Sequence, residues 1–183
     1  MKYAILIILF LAMTAGISAQ DKYISKNGHI WFYSSTPIET IEAHNNQAAS
    51  VIDIKKGEIA FDLLIRAFKF EKALMEEHFN ENYMESEKYP KSKFAGKFIG
   101  FNSENFRKNG AYDAAVEGNL TIHGITKQIK IAGKIEVKDG KINVKAKFDI
   151  KPEDYKIAIP GLVRDKIASI IQTTVDVQYE PKK

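Results

Sequence analysis

Alternation of apolar and polar residues is the dominant pattern along this chain. It runs through residues 59–65, returns in strict form from 142 to 150, and appears again from 171 to 179. A period of two places one set of side chains on the buried face of a β-strand. The buried set predicted in this way is Ile59, Phe61, Leu63, Ile65, Val144, Phe148, Val175 and Val177, and the exposed set is Lys145, Lys147 and Asp176.

Turn signals and glycines divide these strands. The Asp139-Gly140 pair lies between two alternating stretches and tolerates positive φ, so it predicts a tight hairpin. The apolar phase shifts by one residue near Ala67, which predicts a β-bulge. Residues 118–133 contain two strand-like pieces, 120–122 and 128–131, joined through residues 123–127. Gly124 lies in this connection, where a glycine among strand-forming residues predicts a bulge or a sharp bend.

One segment departs from the β pattern. Within residues 72–81, Leu74, Met75, His78 and Phe79 form a stripe on one face of a short helix. Many strands, short turns and a single helix predict an all-β fold, an antiparallel barrel of about eight strands with one short helix at an end. A barrel of this size has room for filling side chains or for one ligand.

The first 19 residues have a different character. Lys2 precedes an apolar stretch at residues 4–12, and small residues follow up to Ala19. This order predicts a secretory signal peptide that is cleaved before Gln20. A membrane anchor is the alternative, but the apolar stretch is shorter than the ~20 residues of a spanning helix. We therefore expect one barrel domain at 20–183, no membrane-spanning segment after cleavage, and a periplasmic or secreted location.

Composition narrows the chemistry further. The net charge is +4, lysines and glutamates are interspersed, and no cysteine is present. Without a basic stripe we expect no nucleic-acid partner, and without cysteine we expect neither disulfides nor thiolate metal sites. The four histidines, His29, His44, His78 and His123, complete no ligand set, so we expect no metal and no other cofactor.

Three stretches of the chain resemble the YceI-like family. They are HFNENYMESEKYPKSKFAG at 78–96, GNLTIHGITK at 118–127 and FDIKPEDYKIAIP at 148–160. They share the order and spacing of that family, and the resemblance covers nearly all of the chain after residue 19. It implies a lipocalin-like barrel that is exported to the periplasm. It also implies a family in which some members bind long polyisoprenoid chains and which is not known for catalysis.

These observations predict an exported binding protein or carrier, not an enzyme, for an apolar chain-like ligand such as an isoprenoid or another lipid. The ligand-contacting residues predicted are Phe61, Leu63, Phe70, Met75, Phe79, Phe94, Phe98 and Phe148. Lys93, Arg107 and Lys127 are candidates to bind a head group at the mouth of the barrel. Two alternatives stay open: a barrel enzyme acting on a small hydrophobic substrate, and a stress factor that binds a protein through its outer face. The sequence is also compatible with a homodimer.

Overall fold

The structure, a computed structural model, describes residues 21–182, so the predicted signal peptide lies outside the described residues. The strands are β1 (Lys22–Ser35), β2 (Thr40–Asp53), β3 (Glu58–Leu64), β4 (Lys69–Phe70), β5 (Lys91–Phe98), β6 (Gly110–Ile122), β7 (Ile125–Lys138), β8 (Lys141–Ile150) and β9 (Ile171–Pro181). The helical elements are α1 (Ala73–His78), a π-helical turn that continues it (Phe79–Tyr83), and 3₁₀ turns at Ile65–Ala67, Ser103–Phe106, Pro152–Tyr155 and Gly161–Val163.

The sheet closes on itself. Its strand order is β1-β9-β8-β7-β6-β5-β3-β2, all neighbours are antiparallel, and β2 pairs with β1 to complete the ring. The two-residue strand β4 adds to β2 outside this series. Closure satisfies the backbone groups that a sheet edge would leave unpaired. The predicted fold class, an antiparallel barrel of about eight strands with one short helix at an end, is confirmed.

The predicted buried phase is confirmed for five side chains, namely Ile59, Ile65, Val144, Val175 and Val177. Phe61, Leu63 and Phe148 lie on the same inward face but are only partly buried, because they border an internal cavity. Of the residues predicted to be exposed, Lys145 and Lys147 are exposed and Asp176 is half-buried. The alternation therefore identified the inner face correctly, whereas the degree of burial depends on what fills the interior.

One predicted backbone irregularity has the right position and the other is wrong in kind. The predicted break between two strand pieces is confirmed, and His123 and Gly124, with φ of 51° and 73°, form it as the two-residue turn between β6 and β7. Two consecutive residues of positive φ suit a tight hairpin, whose twist matches that of its strands. Near Ala67 the chain forms a 3₁₀ turn, not a bulge, and leaves β3 to begin the short β4.

A close approach of two strands involves a pair of glycines on β5 and β6. Gly96 and Gly118 lie opposite each other in the register. A Cβ atom on Gly118 would lie 2.3 Å from the Ala95 carbonyl oxygen and 2.4 Å from the Gly96 Cα atom. Only glycine fits at such a distance, so this pair allows the sheet to curve tightly at β5 and β6.

A buried hydroxyl pair lies in the core of the barrel between β2 and β9. Ser50 Oγ donates to the Ala60 carbonyl oxygen at 2.7 Å, so it accepts the hydrogen bond from the Tyr179 hydroxyl at 2.6 Å. The Tyr179 side chain is fully buried. Burial raises the pKa of Tyr179 well above its usual range, and the hydrogen bond with Ser50 opposes this effect.

We expect Tyr179→Phe to lower the free energy of unfolding by about 1 kcal/mol at neutral pH, because Ser50 loses one partner. Since burial raises the pKa of Tyr179, the unfolded chain releases this proton first as pH rises. The parent should therefore lose stability above about pH 10, and the variant should lose less. Urea unfolding of the parent and the variant, at neutral pH and above about pH 10, measures both the loss of stability and its pH dependence.

The control is Tyr112→Phe, which removes an exposed hydrogen bond to Lys108. Identical pH dependence of parent and Tyr179→Phe would contradict the prediction.

Candidate functional site: the barrel cavity

An apolar cavity of about 570 Å³ occupies the interior of the barrel. Inward-facing side chains of the strands form its walls, and residues of α1 and of the loop between β8 and β9 border its opening. All eight residues predicted to contact a ligand line this cavity: Phe61, Leu63, Phe70, Met75, Phe79, Phe94, Phe98 and Phe148. Their role in binding stays a prediction, while their position shows that strand alternation and the helical stripe together selected one continuous surface.

The strand connections determine which end of the barrel is open. The turn between β1 and β2, α1 and the loop at residues 151–170 all lie at one end, and the cavity opens between them. At the opposite end, Phe98 packs on Phe101 and Phe106, with ring centroids 6.3 and 5.1 Å away. Arg107 and Asp21 form an ion pair that ties the loop carrying Phe106 to the start of β1. Within residues 21–182, the cavity therefore opens at the end that carries α1, and an aromatic cluster packs the opposite end, which we call the closed end.

The α1 segment and the π-helical turn after it, which we call the lid, lie at one end of the barrel, where the short helix was predicted, and border the mouth. The helix α1 spans Ala73–His78 rather than residues 72–81, and the following π-helical turn carries Phe79. The Phe79 ring contacts Phe32, Phe68 and Phe70, with centroids 5.0 to 5.6 Å apart. Such aromatic contacts add to the apolar burial and hold the lid against the strands.

Ion pairs connect the lid to its surroundings. Lys72 Nζ lies 3.3 Å from Glu39 Oε1 in the turn between β1 and β2. Glu76 pairs with Lys69, and its Oε2 accepts a hydrogen bond from the Phe70 backbone amide. These contacts are largely exposed and individually weak. The lid is thus held mainly by its aromatic contacts, with polar contacts that fix its orientation.

Titratable side chains among the described lining residues are confined to the mouth and to outward positions. Glu39, Lys72, His78 and Lys166 border the opening. Tyr83, in the π-helical turn, has its pKa raised because it is partly removed from water. The deep walls are formed by aliphatic and aromatic side chains with a few hydroxyls. The inward-facing titratable pair that a barrel enzyme would need is not present in these walls.

Of the three cations predicted to bind a head group, two do not face the mouth, and the third, at the open end, is already paired. Arg107 lies at the closed end, and Lys127 pairs with Asp154. Lys93 borders the cavity, but it alternates with the inward-facing Ser92 and Phe94, which places its side chain on the outer face. The sequence could not show this, because which end of the barrel opens depends on the lid and the loops.

His123 has a structural role at the hairpin between β6 and β7. Its Nε2 lies 2.7 Å from Glu85 Oε2, its Nδ1 lies 3.1 Å from the Tyr155 carbonyl oxygen, and the Tyr89 ring packs on its imidazole. Both ring nitrogens thus face acceptors. The contacts join the hairpin to the segment after the lid and to the 3₁₀ turn at Pro152–Tyr155.

The remaining histidines form no metal centre. On β1 and β2, His29 Nε2 and His44 Nδ1 are 2.9 Å apart, and Trp31 stacks on the His29 ring. Burial and the neighbouring His44 lower the pKa of His29, and Asp176 opposes them. Within residues 21–182 no three histidine, aspartate or glutamate side chains are grouped so that they could hold a metal ion.

Several lining residues were not predicted from the sequence. Ala114 and Ala146 lie on inward phases of β6 and β8, where their small size leaves space in the interior. Ile157, Val163 and Ile167, from the loop after β8, border the mouth. Strand alternation could have identified the two alanines, whereas no periodic signal marks the loop residues.

No helix within the described residues is long and apolar enough to cross a membrane.

Comparison with protein families gives one match over most of the chain. The model of the YceI-like domain matches residues 24–181. No curated protein matches the sequence significantly.

Solved structures with the same fold include three from different bacteria. A polyisoprenoid-binding domain from Saccharophagus degradans, implicated in plant cell wall breakdown, has a TM-score of 0.77 and 14% identity, covering 89% of this chain and 99% of that one. BcnA from Burkholderia cenocepacia has a TM-score of 0.65 and 11% identity, covering 82% and 95%. A YceI protein of Campylobacter jejuni has a TM-score of 0.61 and 20% identity, covering 77% and 85%. At these identities the likeness concerns the fold.

Proposed function

Since the chain belongs to the YceI-like family, we propose that it is an exported carrier that binds an apolar chain-like molecule, such as a polyisoprenoid, inside its barrel. The observation that carries this proposal is the apolar cavity within residues 21–182, which opens near α1 and has an aromatic cluster packed at the opposite end. The polyisoprenoid-binding domain of Saccharophagus degradans, which shares the fold, supports the choice of ligand class. The predicted signal peptide at residues 1–19 supports export to the periplasm or the medium.

The chemistry of the walls favours an unbranched or methyl-branched hydrocarbon. Phe61, Leu63 and Phe148 are partly exposed to the interior, and a hydrocarbon would cover that surface. Each methylene removed from water contributes about 0.8 kcal/mol. A polar substrate would lose its hydration without hydrogen-bond partners in the deep walls, which costs several kcal/mol. Binding without catalysis therefore suits this interior.

The cavity volume sets an approximate chain length. A cavity of about 150 Å³ holds a benzene molecule, or about 25 Å³ for each carbon atom. The cavity of about 570 Å³ would on this scale hold roughly 23 carbon atoms, or four to five isoprene units. A longer chain would leave its remaining units at the mouth, between α1 and the loop after β8.

Affinity for isoprenols should therefore rise with chain length and then level off. We expect each added isoprene unit to strengthen binding up to about 20–25 carbons, because each unit buries more apolar surface. Beyond that length the added units should change the dissociation constant by less than about threefold. Native mass spectrometry of the chain from Gln20 onwards, titrated with C10, C15, C20, C30 and C40 isoprenols, measures the series.

Organic extraction of the same purified protein identifies any lipid that it retains from the host. Saturated fatty acids of matched carbon number are the control for the ligand class. Absence of binding by every isoprenol and fatty acid would refute the carrier proposal. A dissociation constant that keeps falling up to C40 would refute only the chain-length estimate, and would place more of the chain in a groove outside the barrel.

A further inference from the structure

Exposed apolar side chains lie on the elements that border the mouth of the cavity. Ile38 is 63% exposed, Leu74 60%, Leu162 99% and Ile170 47%. We call these four residues the apolar rim. Single exposed apolar residues are ordinary on protein surfaces, whereas a group of them that borders one opening marks an interaction site.

The fold brings the four rim residues to the same end of the barrel. Gln172 pairs with Tyr33, which places the loop before β9 beside the turn between β1 and β2. The Ala168 backbone amide donates to Ser34 Oγ at 2.9 Å and holds that loop in place. The Lys72–Glu39 ion pair brings the start of α1 to the same turn. The rim thus combines a turn, a helix and a loop that are distant in sequence.

Cations accompany the apolar rim on the loop between β8 and β9. Lys156, Arg164 and Lys166 are exposed, and none of them forms an ion pair among residues 21–182. The whole loop at residues 151–170 carries a net charge of +1, with four cations (Lys151, Lys156, Arg164, Lys166) and three acidic residues (Glu153, Asp154, Asp165). One of the acidic residues, Asp154, pairs with Lys127. The mouth therefore presents cations beside a fully exposed leucine.

The acidic side chains of the lid lie on its other face. Glu76, Glu77 and Glu81 border a shallow surface groove together with Arg66. Leu74 and Met75 instead border the cavity. Because these two faces of the helix are distinct, the acidic groups of the helix lie away from the opening and do not offset the cations of the loop.

We propose that the apolar rim and the adjacent cations form a docking surface for an anionic lipid bilayer. Apolar side chains that enter the interfacial region and cations that face anionic head groups are the two contributions that bind proteins to such surfaces. A bilayer suits this rim better than a protein because the elements that carry the rim also border the opening of an apolar cavity. A chain-like ligand could pass between bilayer and cavity there without crossing water. The purpose of docking rests on the proposed carrier function, whereas docking itself requires no ligand.

Vesicle sedimentation tests the proposal. The chain from Gln20 onwards is mixed with vesicles of phosphatidylcholine alone or of phosphatidylcholine with 30 mol% phosphatidylglycerol. We expect stronger binding to the anionic vesicles, and weaker binding as salt concentration rises. The double variant Leu162→Ser/Arg164→Gln should bind the anionic vesicles at least about tenfold more weakly, since it loses one apolar side chain and one cation. Neither residue lines the cavity.

The matched control makes the same two changes at the closed end. Ile99 is exposed where β5 ends, and Lys56 is exposed in the turn between β2 and β3. Ile99→Ser/Lys56→Gln should leave vesicle binding unchanged. Equal weakening in both double variants, or no binding to either vesicle, would overturn the proposal.

Two further measurements separate the outcomes. Retention of a C20 isoprenol by the rim variant in vesicle-free buffer tests the cavity alone. Failure of the parent protein to retain the C20 isoprenol in vesicle-free buffer would refute the carrier function, whatever the vesicle result. Analytical ultracentrifugation tests a second copy as the occupant of the rim. Self-association that Leu162→Ser/Arg164→Gln abolishes, without vesicle binding by the parent, would also overturn the docking proposal and assign the rim to a dimer interface.

Discussion

Replacing Ala146 with tryptophan should abolish high-affinity binding of a chain-like lipid while leaving the barrel folded. Ala146 lies on β8 and borders the cavity, where the indole can occupy space that the ligand would otherwise fill. The substitution adds roughly nine heavy atoms and displaces a similar number of ligand carbons, each worth up to about 0.8 kcal/mol. We expect the dissociation constant of a C20 isoprenol to rise about a thousandfold or more.

The control for this variant is the same substitution on the outer face. Ala132 is exposed on β7, one residue before the inward-facing Gly133. Ala132→Trp should leave the dissociation constant within about twofold of the parent value. Thermal melts show whether each variant is folded, and Ala114→Phe on β6 provides a second inward substitution. Full affinity in both inward variants would show that the ligand does not enter the barrel.

Replacing Gly118 with alanine should strongly destabilise the fold. The added methyl group would overlap the Ala95 carbonyl oxygen and the Gly96 Cα atom, which are backbone atoms and cannot move away as a side chain could. Relief of the overlap requires β5 and β6 to separate and lengthens their hydrogen bonds. We expect the free energy of unfolding to fall by about 3 kcal/mol, at the upper end of the usual cost of overpacking.

Gly161→Ala is the matched control, since no atom lies within 4 Å of a Cβ at that position. It should change the free energy of unfolding by less than about 0.5 kcal/mol. Urea unfolding of the parent and both variants gives the comparison. A Gly118→Ala protein as stable as the parent would mean that β5 and β6 do not approach as closely as described.

The strands, the face of each strand that points inward and the approximate number of strands in the barrel could be predicted because each depends on local alternation. Residues 142–150 and 171–179 alternate strictly, and they form β8 and most of β9. The Asp139-Gly140 turn, with φ of 50° and 74°, also forms the predicted hairpin. A period of two is a property of neighbouring residues, so it survives without knowledge of the fold.

Turns with mixed signals could not be predicted with the same success. Gly124 follows a histidine rather than asparagine or aspartate, so its neighbours did not distinguish a hairpin from a bend in one strand. Residues 44–47 are mostly polar, yet they lie within β2. Asn45 is buried there because its side-chain amide donates to the Leu64 carbonyl oxygen at 2.9 Å. Such a partner is distant in sequence and leaves no local pattern.

Local patterns identified which residues face inward and showed that one amphipathic helix lies among the strands. Whether the interior is filled, which end is open and which cations lie near the mouth depend on contacts between distant parts of the chain. Phe61 and Val177 lie on equivalent inward phases, yet Phe61 borders the cavity and Val177 is fully buried. Alternation assigns a side chain to one face of a strand. The space it meets there depends on the tilt, register and closure of eight strands, which arise from pairings between distant parts of the chain.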